Sequence, residues 1–287
     1  METIQKLIEL LTLQPLGDNK FQGNNFKTWW GRVFGGQVLG QALHAAYQTV
    51  PEDRFAHSMH GYFILSGDIN EPIIYEVDTI RDGGSFTTRR VVAMQKGRAI
   101  FNMSASFQLK QDGFDHQITM PNVLPPEVLL EDIDQLKDLE KQDPLLYKRF
   151  SKMHQRAFEF KPVEKFDLLK NRRPYQHIWM KSDKKIDVNL PMQHQLLAYV
   201  SDYNLLATAA LPHQENGKRA NLFFASLDHA IWFHRDFRMD EWLLSAMDSP
   251  SASNARGFSR GNIFDLEGRL VASVVQEGLI REKGKKS

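Results

Sequence analysis

The chain has 287 residues, 42% of them apolar, and Lys+Arg 36 against Asp+Glu 35 leaves a net charge of +1. That length allows one or two domains with ample core, while the charge balance removes any global electrostatic case for nucleic acid or an anionic membrane surface. The absence of cysteine excludes disulfides, thiolate metal sites and a cysteine nucleophile, and suits a reducing compartment.

Residues 2–13 place Ile4, Leu7, Ile8 and Leu11 on one helical face, and this acidic, amphipathic start is unlike a secretory signal. The spacing of Val38, Leu39, Ala42, Leu43, Ala46 and Val50 predicts a long helix over 36–50. Phe34-Gly35-Gly36 at its start lets backbone approach a neighbour or ligand, and Pro51 closes it. Four strands are predicted between 57 and 109, separated by glycine-containing turns. Residues 111–126 are polar and 127–155 show helical leucine spacing, which predicts a linker with one or two helices. The chain then divides into 1–112, 113–155 and 156–287. Strands resume at 157–163 and 176–181. Residues 191–211 read as one helix, apolar nearly all round, which must be enclosed by protein. Strands at 222–233, 241–247, 259–264 and 270–280 complete the pattern. No apolar run reaches the about 20 residues of a membrane span, and the tail carries no peroxisomal or retention tripeptide. A soluble cytoplasmic protein without membrane insertion is expected.

The two ends follow one plan. Gly97 and Gly268 stand 171 positions apart, Tyr62-Phe63 and Trp232-Phe233 170. Helix followed by hairpin-linked strands, twice, predicts an α+β fold built from two copies of an antiparallel unit. The copies differ in polar residues. Asp202 interrupts the apolar run 191–211, whereas the stretch taken to correspond to it, Gly40-Gln41-Ala42-Leu43, has no acid. An ionised carboxylate is too costly to bury alone, so Asp202 is paired, faces a cleft, faces water, or caps a break after Ser201. Ser226 and Gln276 are likewise out of place in apolar strands, though either fits as a satisfied core residue.

Other motifs are weak. There is no G-x-S-x-G, Walker A loop, G-x-G-x-x-G or H-E-x-x-H. His57/His60 and His229/His234 lack carboxylate or thiolate companions and read as hydrogen-bonding or core histidines, so no metal site is expected. Trp29-Trp30 reads as core or interface.

Several motifs in order, from about residue 5 to 282, resemble the type II acyl-CoA thioesterases, bacterial and peroxisomal. They are Phe34-Gly35-Gly36-Gln37-Val38, Arg81-Asp82-Gly83, Arg89-Arg90, Ser201-Asp202, Asp228-His229, Trp232-Phe233-His234-Arg235, Ser251-Ala252-Ser253, Arg256-Gly257 and Val275-Gln276-Glu277-Gly278. The resemblance implies a double hot-dog fold, each copy wrapping a long helix in a curved antiparallel sheet. It implies hydrolysis of fatty acyl-CoA to free acid and coenzyme A, hence a role in fatty acid metabolism, with no cofactor. The family's catalytic trio falls on Asp202, Ser226 and Gln276. The bacterial prototype has Thr where this chain has Ser226, and either hydroxyl donates and accepts. Where the family often has Arg-Pro, this chain has Leu65-Ser66 and Arg235-Asp236.

On this reading Asp202 deprotonates a water that Ser226 and Gln276 hold in line, and backbone N–H groups near Gly35 and Gly36 polarise the carbonyl. Some of Arg81, Arg89, Arg90, Arg256 and Arg260 are expected near the CoA phosphates, and the acyl tail in a tunnel between helix and sheet. A homo-oligomer, dimer or tetramer, would cover exposed sheet edges or faces. The rivals are a non-catalytic acyl-CoA binding or sensing protein and a hot-dog enoyl-CoA hydratase.

Overall fold

The computed structural model describes residues 3–151, 157–165, 170–214 and 222–282. The first half runs α1 (Ile4–Leu11), β1 (Gln14–Gly17), β2 (Lys20–Gly23), α2 (Gly35–Tyr47), β3 (Arg54–Phe63), β4 (Ile73–Asp82), β5 (Phe86–Gln95) and β6 (Arg98–Leu109). Three short helices follow, α3 (Asp132–Gln135), α4 (Lys137–Gln142) and α5 (Pro144–Ser151), after a 3-10 turn at Pro126–Val128. The second half holds β7 (Phe158–Pro162), β8 (Tyr175–Ser182), α6 (Leu190–Ser201), α7 (Leu205–Thr208), β9 (Leu222–Ser226), β10 (Asp228–Phe233), β11 (Leu243–Ser253), β12 (Arg256–Asp265) and β13 (Leu270–Glu282).

All the described strands join one antiparallel sheet, ordered β1-β2-β4-β5-β6-β3-β10-β13-β12-β11-β8-β7, with β9 pairing β13. The order mirrors itself about the β3–β10 pair, where Ala230 stands opposite His60. Thus β3, β6, β5 and β4 correspond to β10, β13, β12 and β11, and α2 to α6. The repeat spotted at Gly97 and Gly268 marks equivalent turns, with φ of +71° and +78° that favour glycine. The expected α+β double hot-dog is the observed fold.

The two long helices lie antiparallel and unusually close. A Cβ on Gly36 would sit 2.1 Å from the Tyr199 carbonyl oxygen, and one on Gly40 3.0 Å from that of Gln195. Buried polar pairs stitch the rest of the seam: His44 Nδ1 lies 3.0 Å from Gln195 Oε1, and Tyr47 Oη 2.8 Å from His194 Nδ1. Tyr47 Oη also accepts the Ala56 N–H at 2.8 Å, which ties the seam to β3. Both helices are otherwise packed into one core with β3–β6 and β10–β13.

Three expectations change and two strands are new. The helix predicted over 191–211 breaks after Ser201, because Asn204 adopts the left-handed conformation (φ +64°) that asparagine tolerates. The strand predicted over 222–233 is two strands separated by Leu227. Strands β1 and β2 had no sequence signal, since each is only four residues long and β1 is exposed throughout. Among the described residues the linker carries three helices rather than one or two. Its extended part crosses the outer face of the second half, where Met120, Val123 and Leu129 pack on Trp179, Leu244 and Phe264. Trp179 Nε1–H donates to the Leu124 carbonyl at 2.9 Å, which fixes the crossing. No helix among the described residues is long and apolar enough to cross a membrane.

Candidate active site

The break in α6 has a purpose. Asp202 is the residue that caps the helix C-terminus, so its side chain leaves the apolar helix surface and turns to the start of α2. Its Oδ2 accepts the Gly36 N–H at 2.9 Å, and its Oδ1 accepts Gln276 Nε2 at 2.7 Å. The second Gln276 amide hydrogen reaches Ser226 Oγ at 3.0 Å, which ties the serine hydroxyl to the carboxylate through the glutamine. The three residues singled out in the sequence therefore converge from α6, β9 and β13. A carboxylate only accepts, so the glutamine must present its nitrogen to it.

Burial pushes the Asp202 carboxyl above its ordinary value; the hydrogen bonds from Gln276 and the Gly36 N–H, and the Ser226 hydroxyl, pull it back part of the way. The site thus holds a base stronger than an exposed aspartate, next to a hydroxyl. Gly35 is required here for space: a Cβ would lie 2.7 Å from Asp202 Oδ2.

Asp202 and Ser226 open onto a cavity of about 360 Å³ whose walls include Trp30, Phe34, Val38, Phe63 and Ile100. Arg32 stands on its rim, with the guanidinium carbon 4.9 Å from the Phe223 ring centroid. An apolar pocket with a few converging polar groups and a charged rim suits a ligand with a greasy part and an anionic part. Arg32 and the pocket role of Trp30 had no sequence signal; Trp30 read as core or interface, and a lone arginine in a loop carries no pattern.

The candidate arginines lie outside the lining of this cavity. Arg89, expected near phosphates, is 2% exposed in its side chain and committed to the protein. It donates to the Thr49 carbonyl at 2.7 Å, to Asp82 at 2.7 Å and to the Arg81 carbonyl at 3.2 Å, tying the end of α2 to the sheet. Arg256 pairs with Glu277 at 2.9 Å, and Arg260 with Asp248 at 2.9 Å, both outside the cavity lining, as is the exposed Arg81. Arg90 pairs with Asp78. The Gly36 N–H, expected to face the substrate carbonyl, is taken by Asp202; Gly35, at the first helical position, has no intrahelical acceptor for its own N–H. The histidines of the two candidate pairs each find a partner: His57 Nε2 with Ser106 Oγ, His60 against the Trp232 ring, His229 with Ser201 Oγ, and His234 with Ser273 Oγ.

The mirrored end of the molecule shows what the sequence comparison misplaced. The counterpart of Asp202 is not in 40–43 but at Gln48, which caps α2 as Asp202 caps α6. By strand register the counterparts of Ser226 and Gln276 are Ala56 and Ala105. Tyr47 and His194 occupy the interior there, with His194 stacked 4.2 Å from Phe233. Both ends have a pocket, about 360 Å³ beside Asp202 and Ser226 and about 500 Å³ at the mirrored end beside Ala56, His194 and Phe233, but only the first has the polar trio.

Comparison with known proteins gives the same picture. A family model described as acyl-CoA thioesterase matches residues 148–279, and one described as acyl-CoA thioesterase N-terminal domain matches 26–108. Acyl-CoA thioesterase 2 of Haemophilus influenzae is 38% identical, covering 98% of each chain. Human acyl-coenzyme A thioesterase 8 is 41% identical over 96% of this chain and 88% of its own. An acyl-CoA thioesterase II from Mycobacterium marinum superposes with a TM-score of 0.81 at 38% identity, covering 97% of this chain and 99% of that one. A hot-dog protein from Alicyclobacillus acidocaldarius shares the fold, with a TM-score of 0.77 at 17% identity over 96% of this chain and 98% of its own. Geometry and kinship agree: the chain belongs to the acyl-CoA thioesterase family.

Proposed function

We propose that this protein hydrolyses fatty acyl-CoA to free fatty acid and coenzyme A, using a water activated by Asp202. The observation that carries the reading is a buried carboxylate, raised in basicity and held by Gln276 and the Gly36 N–H, with Ser226 bonded to the same glutamine, at the wall of an apolar cavity. The water oxygen attacks the thioester carbonyl carbon and its proton passes to Asp202. The tetrahedral intermediate then expels the CoA sulfur, which takes that proton as it leaves. The Gly35 N–H at the positive end of α2 is the donor placed to stabilise the oxyanion. The acyl tail occupies the cavity between Phe34, Val38 and Phe63, and Arg32 meets the phosphates at the rim. The test is a thiol-reagent assay with palmitoyl-CoA. Catalytic release of CoA is expected; stoichiometric binding without release would favour a binding or sensing protein. A hydratase would need a histidine facing the acyl group, and none of the residues lining the cavity is histidine.

The reaction requires Asp202 ionised, so activity falls as pH drops through its folded-state pKa. Because burial raises that pKa above 3.8, the acid limb of the pH–kcat/KM profile is expected at a pH above this value. A midpoint at or below it would contradict the assignment. Arg32→Ala is expected to raise KM about two- to fivefold, the range of an exposed ionic contact, and to weaken its salt dependence at unchanged kcat. Unaltered KM and salt response would remove Arg32 from the phosphate site. Association of copies into a dimer or tetramer through the outer sheet face belongs to the same reading; Tyr62, 63% exposed at the centre of that face beside His60, supports it.

A further inference from the structure

Leu227 is an extra residue. Across the β10–β13 pair Ala230 faces Val275, and across β9–β13 Ser226 faces Gly278, so residues 227–229 stand against only Gln276 and Glu277. This is a β-bulge, which re-aims side chains next to it. Its backbone is held on both sides: Leu227 N–H donates to the Glu277 carbonyl at 2.9 Å, and the Leu227 carbonyl accepts the Phe63 N–H at 2.9 Å. The two residues after the bulge then reach to the neighbours of the other catalytic residues. Asp228 Oδ1 accepts the N–H of Glu277 at 2.6 Å, one residue from Gln276. His229 Nε2 lies 3.0 Å from Ser201 Oγ, one residue from Asp202.

The direction of the second bond follows from its surroundings. Ser201 Oγ donates to the Ala198 carbonyl at 3.0 Å, so it accepts from His229, which carries its proton on Nε2. His229 is 1% exposed, and Nδ1 has no hydrogen-bond partner among the described residues. Burial pushes its pKa down to about 3, so the ring is neutral. A buried imidazole with one nitrogen unsatisfied is a poor way to fill space. The mirrored half fills the same place differently. It has the same bulge, at His57 between Ala56 and Ser58, but Met59 stands where His229 does and Tyr47 where Ser201 does. Packing therefore does not demand a histidine; it occurs at the end that holds the trio.

We infer that the Leu227 bulge is the alignment device of the site, and that His229 and Ser201 are positioning residues that fix Asp202 through the C-terminal turn of α6. Ser226 sits on the bulge, Asp228 ties it to the strand of Gln276, and His229 ties it to the helix end of Asp202, so three separate elements share one reference point. The inference rests on the hydrolase reading for its kinetic consequence and on geometry alone for its structural one.

The test uses the full chain. His229→Met, which installs the counterpart residue, is expected to fold and to lose kcat about 10- to 100-fold at unchanged KM, the scale of a sub-ångström to 1 Å misplacement. Ser201→Ala, which serves equally if the first variant does not fold, is expected to do the same. The double variant should lose no more than either alone, and His229→Gln, which keeps an N–H donor, should recover much of the rate. A folded His229→Met or Ser201→Ala with kcat within twofold of wild type, or losses that multiply in the double variant, would overturn the inference. Wild-type turnover of palmitoyl-CoA tests the hydrolase reading separately. Should wild type be inactive, crystal structures decide the point: an Asp202–Gln276 contact retained unchanged in His229→Met would also overturn it.

Discussion

Asp202→Asn is expected to hydrolyse palmitoyl-CoA about 10²–10⁴-fold more slowly than wild type, the usual worth of a general base, while melting at the same or a higher temperature. The two halves of this result share a cause. Burial raises the Asp202 pKa in the folded state, so between its unfolded and folded values the native protein binds more protons than the unfolded chain. Stability therefore declines as pH rises through that window, and at neutral pH the ionised carboxylate is a burden on the fold. Asparagine removes the charge but keeps an acceptor for the Gly36 N–H, so the burden goes and the base goes with it. Steady-state kinetics and a thermal melt on the same preparation check both. A variant that is slow but much less stable than wild type would mean that Asp202 is structural.

Gly36→Ala is expected to have the largest effect on stability. The added Cβ would meet the Tyr199 carbonyl oxygen at 2.1 Å and the Phe34 ring at 2.5 Å. A side-chain ring can shift more readily than helix backbone, so α2 and α6 must separate along a seam that also carries the His44–Gln195 and Tyr47–His194 bonds. Overpacking of this kind costs about 1–3 kcal/mol, and more where backbone is struck. The same shift carries the Gly36 N–H away from Asp202, so the surviving folded protein should also be slow. A melting temperature within a degree or two of wild type would show the seam to be softer than its distances imply. Gly40→Ala, facing Gln195 at 3.0 Å and the flexible Leu11 side chain, should be the milder of the pair.

The sequence made the repeat legible because turn glycines and aromatic pairs keep their spacing across both halves, and the enclosed helix because it has no polar face. Asp202, Ser226 and Gln276 stood out as polar residues in apolar runs, which is the signal a buried site leaves. Their convergence was not legible from spacing: it depends on a helix break set by Asn204 and a bulge at Leu227, single-residue events inside segments whose periodicity runs on regardless. The same blindness placed the counterpart of Asp202 one helical turn or more too early, at 40–43 instead of Gln48. Arginines are hard to read for a different reason. Arg89 sits in a charged cluster but turns inward to bind the end of α2, while Arg32, alone in a loop, is the one at the pocket rim. Alternation along a strand tells which face a residue takes; it does not tell whether a long side chain spends its donors on the protein.

Single turnover in ¹⁸O-water, with enzyme in excess over palmitoyl-CoA, asks most directly whether Asp202 steers solvent onto the thioester. One labelled oxygen in the palmitate, an unlabelled Asp202 peptide and no acyl adduct in the quenched protein are the predicted outcome. Label in the Asp202 carboxyl, or palmitoyl mass on Asp202 or Ser226, would mean that a side chain attacks first and that the water-activation account is wrong.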